Sequence, residues 1–176
     1  DGVVYRGGRA VLHAVETLAG LGDRVSVRYV TNNASRSPAD VSAQLQQLGL
    51  PAGPESVLTS AQAGARLLAS RFPAGTEVLA VGGPGVAAAL REFGLVPVDG
   101  GRPRAVLQGW GPHVTVEELC RAAIAISRGA MWIATNLDLT LPTADGLVPG
   151  NGSLVAAVAT ATGQRPESVG KPQPAM

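Results

Sequence analysis

Apolar and polar positions take turns along this chain in two rhythms. Short aliphatic or β-branched runs stand at residues 3–5, 25–30, 56–58, Glu77–Val81, Val96–Val98, Ala105–Gln108 and 131–135. Between them apolar residues recur at helical spacing: Val11, Val15 and Leu18, then Val41, Leu45 and Leu48, then within 61–70, 86–93, 116–126 and 153–162. The short runs read as strands, and the i, i+3/i+4 recurrence reads as helices with one buried face. Helix starts are punctuated as well. Ser37-Pro38 opens one, with serine as cap, proline in the first turn and Asp40 near the positive end of the dipole. Gly49 closes it. Thr115-Val116-Glu117-Glu118 is a capping box. Residues 137–149 are rich in Pro, Gly and Asp and read as a long loop.

Alternation of this kind predicts an α/β fold, with parallel sheets covered by helices. In such sheets ligands bind at the carboxyl ends of the strands. Three places next to the predicted strands therefore matter most: Asp1-Gly2, Thr31-Asn32-Asn33 and Asn136-Leu137-Asp138. At Thr31-Asn32-Asn33 a hydroxyl and two side-chain amides follow an apolar run and, with backbone N–H groups, can cradle an anion such as phosphate. The same asparagines also suit a plain turn. Lys171 is the single lysine among 14 basic residues and sits between Gly170 and Pro172, either as a point charge for phosphate or as a solvated surface lysine. A competing pattern is Gly83-Pro84-Gly85-Val86-Ala87-Ala88, a G-x-G-x-x-A after a strand, with Asp99 ending the next apolar run. It fits either a dinucleotide-binding module for NAD or a tight strand-to-helix turn, and Pro84 removes one N–H from any phosphate cradle.

Composition narrows the classes. Apolar residues are 45% and charged residues 15% of the 176, which suits a globular chain. A formal charge of +1 and six aromatic residues argue against nucleic acid or an anionic membrane surface as partner. No apolar run approaches the roughly 20 residues of a membrane span. Asp1-Gly2-Val3-Val4-Tyr5 lacks the pattern of a signal peptide. Cys120 stands alone, is expected to be a small buried hydrophobe, and fits a reduced, cytoplasmic setting. His13 and His113 have no metal-ligand spacing to each other or to Cys120.

Taken in order, Asp1-Gly2-Val3-Val4-Tyr5 with Gly7-Gly8, then Val30-Thr31-Asn32-Asn33-Ala34-Ser35-Arg36, then Gly170-Lys171-Pro172 resemble the first three motifs of haloacid dehalogenase-like phosphatases. The branch is the one that holds nitrophenyl-phosphate, nucleotide, phosphoglycolate, pyridoxal-phosphate and glycerol-phosphate phosphatases. Ala134-Thr135-Asn136-Leu137-Asp138 with Pro142, Gly146, Pro149-Gly150 and Gly152 resembles its cap loop.

The resemblance implies a Rossmann-like parallel-sheet core with an inserted α/β cap: residues 1–75 core, 76–165 cap, 166–176 return to the core. It implies a magnesium-dependent (Mg2+) phosphoric monoester hydrolase acting through an aspartyl-phosphate. Asp1 would match the motif's second aspartate, the general acid/base, and bind magnesium by its backbone carbonyl. The nucleophile would stand two residues before Asp1 and further acidic metal ligands would follow Met176, so the sequence as given is expected to be incomplete and inactive. Thr31 and the N–H groups around Gly2, Asn32 and Asn33 would hold the phosphoryl oxygens, Lys171 would neutralise charge, and Asn136 and Asp138 would reach the leaving group. The expected partner is a small-molecule phosphate ester, glycerol 3-phosphate favoured by the resemblance of residues 140–153 to bacterial members, with a homodimer formed through the cap. A family member that has lost catalysis is a further alternative.

Overall fold

The computed structural model describes residues 3–6, 9–21, 24–143, 145–174 and 176. Asp1, Gly2, Gly7 and Gly8, which carry part of the first motif, lie outside the described residues. A small antiparallel pair, β1 (Tyr5–Arg6) and β2 (Arg9–Ala10), comes first, followed by α1 (Ala14–Leu21). Then β3 (Tyr29–Thr31), α2 (Pro38–Gln47) and β4 (Val57–Thr59) form a β-α-β unit whose strands pair in parallel, Thr31 beside Thr59. Tyr5, Val41, Leu45, Leu50, Ala52 and Val57 are its core.

The rest of the described chain builds a larger layer. After α3 (Ser60–Ala69) come β5 (Glu77–Val81), α4 (Pro84–Glu92), β6 (Val96–Val98) and β7 (Ala105–Gln108). α5 (Val116–Ser127), β8 (Met131–Ala134), the hairpin β9 (Thr140–Thr143) and β10 (Gly146–Pro149), α6 (Asn151–Thr162) and β11 (Glu167–Ser168) follow. Five strands lie in the order β11-β8-β7-β5-β6, every pair parallel. Helices α3 and α4 pack on one face, through Ala61, Ala65, Leu68, Val86, Ala89 and Leu90. Helices α5 and α6 pack on the other, through Ala122, Ala125, Ile126, Val155 and Val158. The predicted α/β class with parallel sheets is what the chain adopts. Because α3 packs on this sheet and β11 pairs into it, the layer extends past both ends of the expected span 76–165.

Three expectations need correction. The strand predicted over 25–30 begins only at Tyr29, because β4 offers partners for Tyr29, Val30 and Thr31 and nothing earlier. The loop predicted over 137–149 contains the β9–β10 hairpin, Thr143 opposite Gly146, with Pro142 and Pro149 tolerated because this two-stranded ribbon is all edge. Cys120 is exposed on α5 rather than buried, since it lies off the face carrying Ala122, Ala125 and Ile126.

Candidate active site

The carboxyl end of β3 is where the separate segments meet. Thr31, 7% exposed, closes that strand, and its hydroxyl oxygen accepts from the Asn33 N–H at 3.1 Å. Asn33 Oδ1 accepts from both the N–H and the hydroxyl of Ser35, at 2.9 and 2.7 Å. Asn33 thus makes the local turn that asparagine favours, and its N–H is engaged by Thr31.

Asn32 faces the other way and joins distant parts of the chain. Its Oδ1 accepts from the Lys171 N–H at 2.8 Å, while its Nδ2 donates to the Lys171 carbonyl at 3.2 Å and to Asp138 Oδ2 at 3.0 Å. Its own carbonyl accepts from Ser60 Oγ and Asn136 Nδ2, both at 2.8 Å. The Lys171 ammonium donates to the Val30 carbonyl at 3.1 Å, so the one lysine is anchored beside Thr31. Gly170 makes this possible: a Cβ there would collide with the Thr135 carbonyl and lie 2.8 Å from Asn136 Cβ.

Asn136 and Asp138 approach from the end of β8. Asn136, 5% exposed, accepts from the Asp138 N–H at 3.1 Å. Asn151, in the first turn of α6, donates to the Asn136 carbonyl at 2.8 Å, and the Gly152 N–H donates to the Asp138 carbonyl at 2.9 Å. The hairpin beyond is tied back by Ser153 Oγ on the Leu139 carbonyl at 2.7 Å and Trp110 Nε1 on the Pro149 carbonyl at 3.0 Å.

Of the residues singled out from sequence, the structure brings Thr31, Asn32, Asn33, Asn136, Asp138 and Lys171 together, and Asp1 and Gly2 lie outside the described residues. Sequence reasoning missed Ser60 and Asn151. Ser60 directly follows β4, so the rule that selected residues after strands also points to it. The arrangement has one anchored cation, a buried hydroxyl and several amides, chemistry suited to an oxyanion. Among the described residues no three His, Cys, Asp or Glu side chains gather to hold a metal ion, so these residues do not by themselves compose a magnesium site.

The dinucleotide alternative fails on geometry. The N-terminus of α4, where a pyrophosphate would sit, is filled by polypeptide: the Gly85 N–H donates to the Ser35 carbonyl at 3.1 Å. Asp99 follows β6 and is exposed, with no cradle left to serve.

Comparison with known proteins agrees with this picture. Residues 1–96 match the family model of haloacid dehalogenase-like hydrolases. The chain is 47% identical over 178 residues to D-glycerol 3-phosphate phosphatase of Mycobacterium tuberculosis, covering 100% of this chain and 50% of that protein. It is 35% identical over 175 residues to an acid sugar phosphatase of Staphylococcus saprophyticus, covering 99% of this chain and 67% of that one. The crystal structure of glycerol phosphate phosphatase from Mycobacterium tuberculosis in complex with magnesium superposes with a TM-score of 0.94 at 47% identity, over 99% of this chain and 53% of that one. A thermostable NPPase double mutant from Geobacillus stearothermophilus gives a TM-score of 0.90 at 35% identity, over 99% and 69% of the two chains. The chain thus spans about half the length of the mycobacterial relative. With the family model covering more than half of its residues, the chain belongs to the haloacid dehalogenase-like hydrolases.

Proposed function

We propose that this chain carries the phosphoryl-binding side and the cap of a magnesium-dependent phosphatase for small organic phosphomonoesters, with glycerol 3-phosphate the favoured substrate. The observation that carries the reading is the anchoring of Lys171: its ammonium is fixed 3.1 Å from the Val30 carbonyl while Asn32 clasps its backbone on both sides. A lysine held beside a buried threonine hydroxyl at a strand end supplies fixed positive charge and a donor where a phosphoryl group gathers negative charge. Thr31 and Lys171 are assigned to phosphoryl oxygens, and Asn33 to holding Thr31 in place. Asn32, Asn136 and Asp138 set the cap loop against the core, with the Asp138 carboxylate facing the leaving group. Magnesium rests on the family, on the mycobacterial relative's magnesium complex and on Asp1, whose backbone carbonyl the motif assigns to the ion.

The cap reading of 76–165 is supported by the run of β5 to β8 and α4 to α6 within that span, which builds most of the two-faced five-stranded layer. Glycerol 3-phosphate is favoured by the mycobacterial relative and by a loop whose exposed Leu137 and Leu139 flank Asp138, leaving few polar groups to read an elaborate substrate. A homodimer through the cap is supported by Val116 and Ile124, exposed at helical spacing on α5. A cytoplasmic, bacterial setting follows the single cysteine and the arginine-rich, lysine-poor composition.

The test is phosphate release from glycerol 3-phosphate and p-nitrophenyl phosphate by the full-length protein, with magnesium and with chelator. The expected result is magnesium-dependent release that Lys171→Ala or Asp1→Asn lowers on the order of 100-fold or more. A folded full-length protein that releases nothing across a broad ester panel sinks the proposal, and a strong preference for nucleotides or pyridoxal phosphate removes its substrate part.

A further inference from the structure

We infer that Gly83 and Gly85 are positioning residues, forming a socket that fixes the loop behind the phosphoryl-facing Thr31. The inference rests on the phosphatase reading above. At Gly83 a Cβ would lie 2.7 Å from both the Ser35 Cα and its carbonyl oxygen. At Gly85 it would lie 2.5 Å from the Arg36 carbonyl oxygen and 2.6 Å from that of Ala34. Real Cβ atoms do not approach that closely, so residues 34–36 sit where they do because two side chains are missing. A third glycine shapes the other wall: at Gly109 a Cβ would lie 3.0 Å from the Ala34 methyl. Ala34 is 1% exposed and packs in the same cluster as Val86 and Ala89 of α4.

The socket is polar as well as steric. The Gly85 N–H, unpaired within the first turn of α4, donates to the Ser35 carbonyl, so the positive end of the helix dipole holds a loop carbonyl instead of an anion. From there two links reach the site. Ser35 donates twice to Asn33 Oδ1, and the Asn33 N–H donates to Thr31 Oγ1. A loop pushed off α4 pulls on both links and turns the Thr31 hydroxyl. Both glycines act through the backbone of residues 34–36.

The experiment uses the full-length protein and Gly85→Ala, with Gly64→Ala as the control. Gly64→Ala adds the same methyl 2.5 Å from Leu107 Cδ1, crowding the sheet interior without facing the loop. Gly85→Ala is expected to raise KM, and the inhibition constant for inorganic phosphate, about tenfold. Gly64→Ala is expected to lower the melting temperature and leave both constants alone. Wild-type constants in Gly85→Ala, or an equal rise in both variants, overturn the inference. Should Gly85→Ala fail to fold, hydrogen exchange on the wild type decides: binding coupled through the socket is reciprocal, so saturating inorganic phosphate slows exchange of the Gly85 amide. No slowing overturns the inference. An inactive wild type sinks the phosphatase reading instead, and the exchange measurement still judges the socket.

Discussion

The five-stranded sheet and the β3–β4 pair use the same strand-helix grammar, yet they are stabilised very differently. The large sheet is covered on both faces, so that Val78, Val81, Leu107 and Ile133 have no accessible surface. The pair has one small cluster beneath it and leaves Val30 40% exposed. The five-stranded layer therefore rests on packing from both sides, while the β3–β4 pair carries Thr31 and Asn32 on a thin platform braced by hydrogen bonds from Ser60 and Asn136 and by Ala34 packed in the larger layer's core. Large-to-small substitutions should expose that contrast most strongly. Ile133→Ala is expected to cost about 3–4 kcal/mol, transfer plus cavity, and Val30→Ala less than about 0.5 kcal/mol. Urea unfolding checks both, and comparable losses would erase the distinction between the two regions.

The same contrast decides how much the sequence reveals. Glu77–Val81, Val96–Val98 and Ala105–Gln108 are legible to the residue. For β5 and β7 the cause is burial from both sides, which demands an unbroken apolar run. Residues 25–28 carry two β-branched valines, as a strand would, but β4 offers them no partner, and sequence preference alone cannot report a missing partner. The hairpin is hard to read because Pro142 and Pro149 argue against a strand unless the ribbon is known to be isolated. At the site, Thr31, Asn32, Asn136 and Asp138 are found by their places after strands, and Lys171 by its isolation and its motif. Asn151 stays hidden because it acts on backbone carbonyls, which every residue has, whereas Ser60 has a signal in its place directly after β4.

The junction between the two regions comes next in size. Asn136→Ala removes the amide that donates to the Asn32 carbonyl and accepts from the Asp138 N–H, at a buried position. The expected loss is about 1–3 kcal/mol. A loss well below that in urea unfolding would mean that the two regions do not depend on this bridge.

The smallest effect separates two capping boxes. Ser37 caps α2 with Asp40, and Thr59 caps α3 with Gln62. Hydrogen bonds from the Ser37 hydroxyl and N–H hold the Asp40 carboxyl below its ordinary value of 3.8. A depressed carboxylate adds stability that is fully present above that ordinary value and is lost as pH falls through the lower native one. Ser37→Ala is thus expected to cost about 1 kcal/mol near neutrality and less in acid. The deficit of Thr59→Ala, whose box uses an uncharged amide, should not change over the same range. Unfolding curves at neutral and acidic pH compare them, and a Ser37→Ala deficit that ignores pH would exclude Asp40 from the cap.

The two indoles divide the larger layer optically. Trp132 is buried in the sheet core with its N–H on Gln108 Oε1, so its emission belongs to the packed interior. Trp110 is less buried and donates to the Pro149 carbonyl at the root of the β9–β10 hairpin, so its emission belongs to the latch beside the site. Within this chain, a change in tryptophan fluorescence has an address: a quenchable signal speaks for the hairpin, and a blue, protected one for the fold.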